Sequence, residues 1–316
     1  MSGVICLGEA LIDFIPLDEH HLIYQKSPGG APANVAVGIS KLGGKAFFLG
    51  KLGQDVLGKF LLDTLEAQGV DVSYVSWEEH VRTGIVFVTL DPGGERSFSF
   101  YIDPSADRYL GIKDLQSEWF ENNHILHFGS ISLISEPSRS ATVHAIQLAK
   151  QNGMLISYDP NLRLSLWKTP EEAKTTILST IGQADILKIS EEELVFLTGE
   201  QSIENGLSSL AQYDIPLIFI TMGGEGCVFQ FKGQTRRIPA ISVSVVDTTG
   251  AGDAFVSGIL YNINASRKTI TTLTVDEVGE FTKFAAVSGG LAASTKGAMT
   301  ALPTLPEVRK RLENEA

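Results

Sequence analysis

The stretch from Asp247 to Phe255, DTTGAGDAF, combines small residues with an acidic side chain at a spacing that suits phosphate chemistry. Gly250, Ala251 and Gly252 carry little or no side chain, so a phosphate can approach their backbone closely. If a helix begins near Gly250, the N–H groups of its first turn and its dipole attract that anion. Asp253 then lies one turn in, where its carboxylate can accept the proton of an attacking hydroxyl. The stretch therefore predicts a catalytic base beside a phosphate-binding backbone.

The same stretch has a purely structural alternative, in which Asp253 stabilises a helix start and the glycines serve a tight turn. Two other nucleotide-binding patterns are rejected. The GxGxxG-like run that starts at Gly250 has Phe255 where a dinucleotide-binding fold requires Gly or Ala. The GxxxxGK-like run Gly53–Lys59 is followed by Phe60, which replaces the Ser or Thr that would bind Mg²⁺.

Composition narrows the class of protein. The chain has 316 residues, 43% of them hydrophobic and 20% charged, with a net charge of −12, which is typical of a globular protein. Basic residues are not clustered, so a nucleic-acid partner is not expected. Cys6 and Cys227 are far apart and indicate neither a disulfide framework nor a zinc site. No apolar run reaches membrane-spanning length, and a cytoplasmic enzyme is expected.

Short runs rich in Val, Ile and Phe alternate with longer amphipathic stretches. This alternation predicts an α/β fold, with a mostly parallel central sheet covered by helices on both faces. The predicted buried strands are Val4–Leu7, Ala46–Leu49, Ile125–Phe128, Leu155–Tyr158, Ile186–Ile189 and Leu217–Thr221. The helices predicted from their start and stop signals are Pro32–Leu42, Val56–Gln68 and Pro137–Gln151.

One region departs from the alternation and predicts a small β-sheet lid. Thr83–Leu90 and Glu95–Ile102 flank the turn residues Asp91–Gly94, a pattern typical of a β-hairpin. Ile12–Ile15 and Leu22–Gln25 are predicted as two further strands of this lid. The alternative is an antiparallel edge on the main sheet.

A second hairpin, Cys227–Phe231 with Thr235–Ile238, is predicted near the end of the main sheet. A strand over Ile241–Val246 is predicted to lead into Asp247. We treat residues 1–316 as a single domain whose lid is formed by about 12–27 and 83–103.

Three motifs in this order connect the N-terminal half with the glycine-rich stretch. They are Gly8-Glu-Ala-Leu-Ile-Asp13, Gly29-Gly-Ala-Pro-Ala-Asn34 and the stretch that ends in Asp253-Ala-Phe. Together they resemble the ribokinase-like (PfkB) family of carbohydrate kinases over essentially the whole chain. The resemblance implies a three-layer fold with a central sheet of about nine strands and a β-sheet lid over the sugar. It also implies transfer of the γ-phosphoryl group of ATP to a sugar hydroxyl.

The resemblance assigns roles to individual residues. Asp253 matches the family's base, and Gly250, Ala251 and Gly252 match its anion hole. The implied sugar-hydroxyl contacts are Asp13, Gly29, Gly30 and Asn34.

The nucleotide and cation sites are implied in the same way. Lys188 is placed to reach a phosphate, although a lone lysine is more commonly a solvated surface charge. Glu193 would organise Mg²⁺ through water, with Ser190 replacing the family's usual Asn. Asp247 and Thr249 match a monovalent-cation loop, so activation by K⁺ is expected. The remaining residues expected to border ATP are Thr221, Gly223, Gly226, Ser288 and the turn at Gly297.

Three further stretches resemble the fructose-phosphorylating members of the family: Asp159–Trp167, Glu95–Tyr101 and Ser105–Asp107. Phe98 and Phe100 would cover a sugar ring or pack the hairpin core. Arg163 would donate to sugar oxygens or pair with a structural carboxylate. The prediction is D-fructose phosphorylated at O6, with sugar and ATP as small-molecule partners and a homodimer formed through the lid.

Other functions remain as alternatives. A 2-keto-3-deoxygluconate kinase would need a partner for the substrate carboxylate, such as Arg163 or Arg108. A ribokinase or nucleoside kinase is a further alternative within the family. From other classes, a catalytically inactive sugar-binding regulator is disfavoured by the intact Asp253 and its glycines, and a Rossmann oxidoreductase is disfavoured by Phe255.

Overall fold

The computed structural model describes residues 2–18, 20–90 and 96–315. Its strands are β1 (Val4–Leu7), β2 (Leu11–Pro16), β3 (Tyr24–Gly29), β4 (Ala46–Gly53), β5 (Val75–Glu78), β6 (Ile85–Leu90), β7 (Arg96–Tyr101), β8 (Ile125–Phe128), β9 (Leu155–Tyr158), β10 (Ile186–Ser190), β11 (Leu217–Thr221), β12 (Cys227–Phe231) and β13 (Gln234–Ile238). Its helices are α1 (Ala31–Lys41), α2 (Val56–Ala67), α3 (Glu118–Glu121), α4 (Ser138–Gln151), α5 (Pro170–Ile181), α6 (Glu191–Thr198), α7 (Ile203–Leu210), α8 (Ala251–Ser266), α9 (Val275–Ala293) and α10 (Leu305–Glu315).

Within these residues the main sheet has nine strands in the order β13-β12-β11-β10-β9-β8-β1-β4-β5. The pairs from β11 to β5 are parallel, whereas β12 and β13 form an antiparallel hairpin at the edge. All six predicted strands and the predicted edge hairpin are confirmed, with β4 four residues longer than expected. Parallel strands are buried on both faces, which is why they were legible as uninterrupted apolar runs.

Two hydrophobic layers pack against the two faces of this sheet. Successive residues of a strand point to opposite faces, so Val4 and Cys6 belong to one layer, and Ile5 and Leu7 belong to the other. The first layer includes α1, α2, α8 and α9, and the second includes α4, α5, α6 and α7. Of the helices described, none has the length and apolar character needed to cross a membrane.

A separate four-stranded sheet forms the lid, in the order β3-β2-β6-β7 among the described residues. The alternative of an edge on the main sheet is therefore wrong. The predicted turn at Asp91–Gly94, together with Glu95, lies outside the described residues. The third strand begins at Tyr24 instead of Leu22, because the Asp18 side chain accepts the N–H groups of Leu22 and Ile23 and holds them in a turn.

The predicted strand over Ile241–Val246 is absent from the described structure. Val245 and Val246 are 65% and 59% exposed. The N–H groups of Val246 and Asp247 both donate to the carbonyl of Ala293, at 2.9 and 3.1 Å. The end of α9 thus anchors this segment, whose apolar residues face a cavity and not a neighbouring strand.

Candidate active site

The start of α8 forms the base of the site. Gly250 caps this helix with a φ of 80°, and a Cβ there would lie 3.0 Å from the Cα of Ala298. Glycine is therefore required both for the left-handed backbone and for the close approach. The N–H of Ala251 donates to the carbonyl of Thr248 at 3.2 Å. Gly252 has no side chain, and it lines both of the cavities described below.

Asp253 is buried in the first turn of α8, where it contacts a residue from the opposite end of the chain. Its Oδ2 accepts a hydrogen bond of 2.8 Å from Nδ2 of Asn34, which lies in α1. Burial raises the pKa of Asp253 to about 6. The Asn34 bond lowers this pKa, the charge of Asp159 raises it, and those of Lys188 and Arg163 lower it. The carboxyl is therefore poised between acid and carboxylate near neutral pH, as a general base requires.

A cavity of about 350 Å³ opens in front of Asp253, between the lid and the α/β body. Three structural elements from distant parts of the chain meet at this cavity: the lid, the start of α1 and the start of α8. The predicted site residues that line it are Asp13, Gly30, Asn34, Phe98, Phe100, Arg163, Lys188, Thr249, Gly250, Gly252 and Asp253. Lys188, which was expected to reach a phosphate, also lines this cavity.

The two glycines before α1 shape the wall beside Asp13. A Cβ at Gly29 would lie 2.3 Å from Oδ2 of Asp13, so Gly29 makes room for that carboxylate from behind. Gly30 lines the cavity itself, with a φ of 105°, and a Cβ there would lie 2.5 Å from the carbonyl oxygen of Glu9. Only glycine satisfies both positions.

The lid and the loop after β9 supply the remaining walls. Phe98 is 39% exposed, whereas Phe100 is partly buried against Leu11 and other apolar residues at the lid root. Both phenylalanines line the cavity, and Phe100 also packs into the hydrophobic cluster at the lid root. Nη1 of Arg163 donates to the carbonyl of Leu162 at 3.1 Å. The alternative considered for Arg163, an ion pair with a structural carboxylate, is not found in the part of the chain that the structure describes.

Lys188 lies in a buried ion pair and not on the surface. Its Nζ is 3.1 and 3.3 Å from the two carboxylate oxygens of Asp159. Burial lowers the pKa of Lys188, but the charges of Asp159 and Glu193 outweigh this effect and raise it. Nζ would lie 3.4 Å from a Cβ placed on Gly252. The lysine thus presents a fixed positive charge at the helix start where a phosphate is expected.

A second cavity, of about 300 Å³, lies on the other side of the α8 start. It is mostly apolar and contains Thr221, Gly223 and Gly226, as expected for the nucleotide side. One face of α9, which sequence reasoning missed, supplies much of its wall. The signal for this face was the helical spacing of small residues in α9. The α9 residues that line the cavity are Ala286, Gly289, Gly290 and Ala293, and Phe255 of α8 also lines it.

Two residues expected beside the nucleotide lie elsewhere. Ser288 is buried within α9 and points away, because the cavity face of that helix runs through Gly289 and its neighbours at helical spacing. The N–H of Gly297 donates to Oδ2 of Asp247 at 2.9 Å. The turn at Gly297 therefore supports the loop before α8 and does not border the second cavity.

The two expected cation positions are held by backbone donors. Oδ1 of the buried Asp247 accepts the N–H of Thr249 at 3.0 Å. Glu193 accepts the N–H groups of Leu162 and Ser190, each at 2.7 Å, through its two oxygens. The Oγ of Ser190 accepts the N–H of Glu193, so serine preserves the helix start despite the missing Asn. No cluster of three or more His, Cys, Asp or Glu suited to a metal occurs among the described residues.

Comparison with known proteins agrees with this geometry. A family model described as pfkB family carbohydrate kinase matches residues 1–305. The chain is 44% identical over 317 residues to Fructokinase-1 of Oryza sativa subsp. japonica, and the match covers 98% of each protein.

Two solved structures extend the likeness to the fold. A double mutant of fructokinase from Vibrio cholerae O395, with bound fructose, ADP and potassium ion, has a TM-score of 0.91 and 42% identity over 98% of each chain. Fructokinase from Xylella fastidiosa with bound ATP has a TM-score of 0.94 and 32% identity, covering 99% of this chain and 98% of that one.

Proposed function

The chain belongs to the pfkB family of carbohydrate kinases, and on that premise we propose that it transfers the γ-phosphoryl group of ATP to O6 of D-fructose. One observation carries the proposal: two cavities meet at Gly252, with Asp253 on the side of the lid. The first cavity, which combines charged and amide side chains with aromatic ones, suits a sugar, and the apolar cavity suits a purine. Phosphoryl transfer needs the hydroxyl and the terminal phosphate to meet in this way.

The proposed reaction uses Asp253 as the base. The O6 hydroxyl attacks the γ-phosphorus, the O6–P bond forms, and the bond from the γ-phosphorus to ADP breaks. The hydroxyl proton passes to the Asp253 carboxylate. Gly250, Ala251 and Gly252 at the helix start, together with Lys188, stabilise the negative charge of the transferring group. Most of the catalytic effect then comes from positioning and electrostatics.

The sugar would be held by short polar side chains and covered by the lid. Asp13 and Asn34 supply acceptors and donors for hydroxyl groups, and Arg163 supplies a guanidinium. Phe98 and Phe100 lie on the lid side of the same cavity. This arrangement fits a neutral, hydroxyl-rich ring enclosed between a polar floor and an aromatic cover.

The phosphates and ions would lie where the two cavities meet. ATP enters with Mg²⁺, which keeps much of its hydration and is held mainly by phosphate oxygens. Since both oxygens of Glu193 already accept backbone N–H groups, its contact with Mg²⁺ would pass through water. Asp247, held rigidly by Thr249 and Gly297, supplies a hard oxygen donor suited to K⁺.

The alternative acidic substrate, 2-keto-3-deoxygluconate, has less support. Arg108, one of its two expected partners, lies off the cavity and pairs with Asp103 at 3.3 Å. Asp13 and Asp253 both line the cavity and would repel a substrate carboxylate. The similar proteins named above are fructokinases, which also favours fructose.

A coupled ADP-release assay tests the proposal, with fructose, ribose, 2-keto-3-deoxygluconate and a nucleoside as acceptors. We expect fructose to be the preferred substrate. Asp253→Asn should keep sugar and nucleotide binding but lose about 10²- to 10⁴-fold in kcat. Asp276→Asn, an exposed acid in the first turn of α9, is the matched control. Turnover of another acceptor in place of fructose, or an Asp253→Asn variant of unchanged kcat, would refute the proposal.

We also propose that the chain works in the cytoplasm, where ATP is abundant. We further propose that it forms a homodimer through the lid. The lid face that points away from the cavity carries an aromatic group, in which Phe87 stacks on Phe14 at 5.1 Å and meets Tyr101 edge-on at 5.7 Å. Tyr101 is 62% exposed, and exposed apolar patches favour association. Mass measurement in solution, with Tyr101→Ser as the variant, tests the dimer, and cell fractionation tests the location.

A further inference from the structure

The ion pair between Lys188 and Asp159 lies at the carboxyl ends of two neighbouring parallel strands. Lys188 belongs to β10, and Asp159 directly follows β9. The register pairs Leu187 with Tyr158, so the next residues of the two strands, Lys188 and Asp159, come side by side. Only 11% of the lysine side chain and 5% of the aspartate side chain are exposed. Solvent and salt therefore screen this pair far less than a pair on the surface.

Of the two partners, only the lysine reaches the first cavity, the one in front of Asp253. Lys188 lines that cavity, and its Nζ would lie 3.4 Å from a Cβ on Gly252. Within the described part of the chain, Asp159 lines neither the first cavity nor the second, apolar one. Any contact between this pair and a phosphate would therefore be made by Lys188, with Asp159 behind it.

The carboxylate of Asp159 is itself held in place by the backbone. Its Oδ1 accepts the N–H of Asn161 at 3.1 Å, and its own N–H donates to the carbonyl of Phe128 in β8 at 3.2 Å. From this position both carboxylate oxygens lie within 3.3 Å of Nζ of Lys188. Asp159 is therefore a rigid acceptor that fixes the direction of a flexible side chain.

The other carboxylate near Lys188 is less suited to this role. Both oxygens of Glu193 already accept backbone N–H groups, from Leu162 and Ser190. A lysine side chain has four carbons and many rotamers, so it keeps one direction only where a partner holds it. Burial lowers the pKa of Lys188, and the charge of Asp159 is the largest influence that raises it. Asp159 thus favours both the charge and the direction of the ammonium group.

We propose that Asp159 is a positioning residue for phosphoryl transfer, which holds the Lys188 ammonium group against the start of α8 where the transferring group is stabilised. The inference rests on the proposed sugar-kinase function. Asp159 touches neither sugar nor nucleotide in this arrangement, and it acts through Lys188 alone. Because Lys188 does not line the apolar cavity, Asp159 should affect the rate of transfer more than the binding of ATP.

Steady-state kinetics of Asp159→Asn with fructose and ATP measure this effect. The amide keeps the shape of the carboxylate but loses the charge that holds Lys188. Displacement of a catalytic charge by about 1 Å can cost about 10²-fold in rate, so kcat should fall about 10- to 100-fold. KM for ATP should change by less than about threefold, since the nucleotide cavity is untouched.

A double-mutant cycle decides whether Asp159 acts through Lys188. Lys188→Gln should lower kcat at least as much as Asp159→Asn does. In the Lys188→Gln background, Asp159→Asn should cause no further loss, whereas an independent structural role would lower kcat by the same factor in both backgrounds. The assay is run at pH 8, well above the pKa of about 6 of Asp253. The influence of the Asp159 charge on the ionisation of Asp253 then does not contribute.

Asp114→Asn is the matched control. Asp114 pairs with Lys51 at 2.9 Å, and their side chains are 14% and 6% exposed. Lys51 also has a second carboxylate nearby, that of Glu78 at 3.6 Å, as Lys188 has Glu193. Among the described residues that line the first and second cavities, none belongs to this pair. The control variant should keep kcat and KM within about twofold of wild type.

Three results would overturn the proposal: an Asp159→Asn variant of wild-type kcat, equal losses in both backgrounds, or a higher kcat, which would show that Asp159 competes with phosphate for Lys188. Should Asp159→Asn fail to fold, Asp159→Glu, which keeps the charge but moves the carboxylate, is compared in the same two backgrounds. Its loss of kcat should likewise disappear without Lys188. Wild type that does not phosphorylate fructose would instead contradict the proposed function.

Discussion

Replacing Asn34 by alanine should move the pH at which the enzyme loses activity upwards. In the proposed mechanism activity requires the ionised form of Asp253, so kcat/KM should fall as the pH drops through the pKa of that group. Asn34 donates to Oδ2 of Asp253 and thereby stabilises the ionised form. Without this donor the pKa of Asp253 rises, and activity is lost at a higher pH than in wild type.

The size of the shift follows from the single hydrogen bond. A hydrogen bond to a charged group contributes about 1.5–3 kcal/mol, and about 1.4 kcal/mol corresponds to one pKa unit. The acid limb is expected near pH 6 in wild type, where burial places the pKa of Asp253, and it should therefore move up by about one to two pH units. Water that enters the space left by the amide would bring the shift towards the lower value.

The assay is kcat/KM for fructose from pH 5 to 8, measured by coupled ADP release. Asn34→Ala also removes a proposed sugar contact, which should lower the whole profile without moving its limb, so the two effects separate. Asn262→Ala is the control, since Asn262 lies on the same helix as Asp253 but donates to the carbonyl of Gly258. A limb that stays in place, or moves to lower pH, would show that Asn34 does not tune the base.

Three further substitutions have specific expected outcomes. Gly252→Ala places a methyl 3.4 Å from Nζ of Lys188, and we expect a higher KM for ATP and a lower kcat with fructose binding retained by calorimetry. Gly29→Ala brings a Cβ to 2.3 Å from Oδ2 of Asp13; displacing that carboxylate should weaken fructose binding roughly tenfold or more, and unchanged affinity would show that Asp13 does not hold the sugar. Phe98→Ser should raise KM for fructose while the unfolding free energy in urea changes by under about 1 kcal/mol, because Phe98 is partly exposed.

The sequence alone predicted the main sheet and the start of α8. Strands such as Val4–Leu7 are buried on both faces, so their apolar runs are legible without knowledge of their neighbours. The glycines at positions 250 and 252 and Asp253 are adjacent along the chain, and a helix start is a local structure. The missing strand at Ile241–Val246 marks the limit, because tertiary contacts with α9 decided whether those apolar residues paired.

Only part of the candidate site could be predicted from the sequence. Motif resemblance identified Asn34 and Lys188, but not the carboxylates that they contact. Asn34 and Asp253 are separated by 219 positions, and Lys188 and Asp159 by 29, so only the folded chain brings each pair together.

The balance of charge at Asp253 depended on the fold. From the sequence, the position of Asp253 at a helix start favours the ionised carboxylate and a lower pKa. In the folded protein, burial dominates and raises that pKa to about 6. Types and spacing of residues therefore determined the strands, the helix start and the choice of Asp253 as the proposed base. Contacts between distant segments decided its partner, its burial and its pKa, because burial is set by the packing of elements that are far apart in the chain.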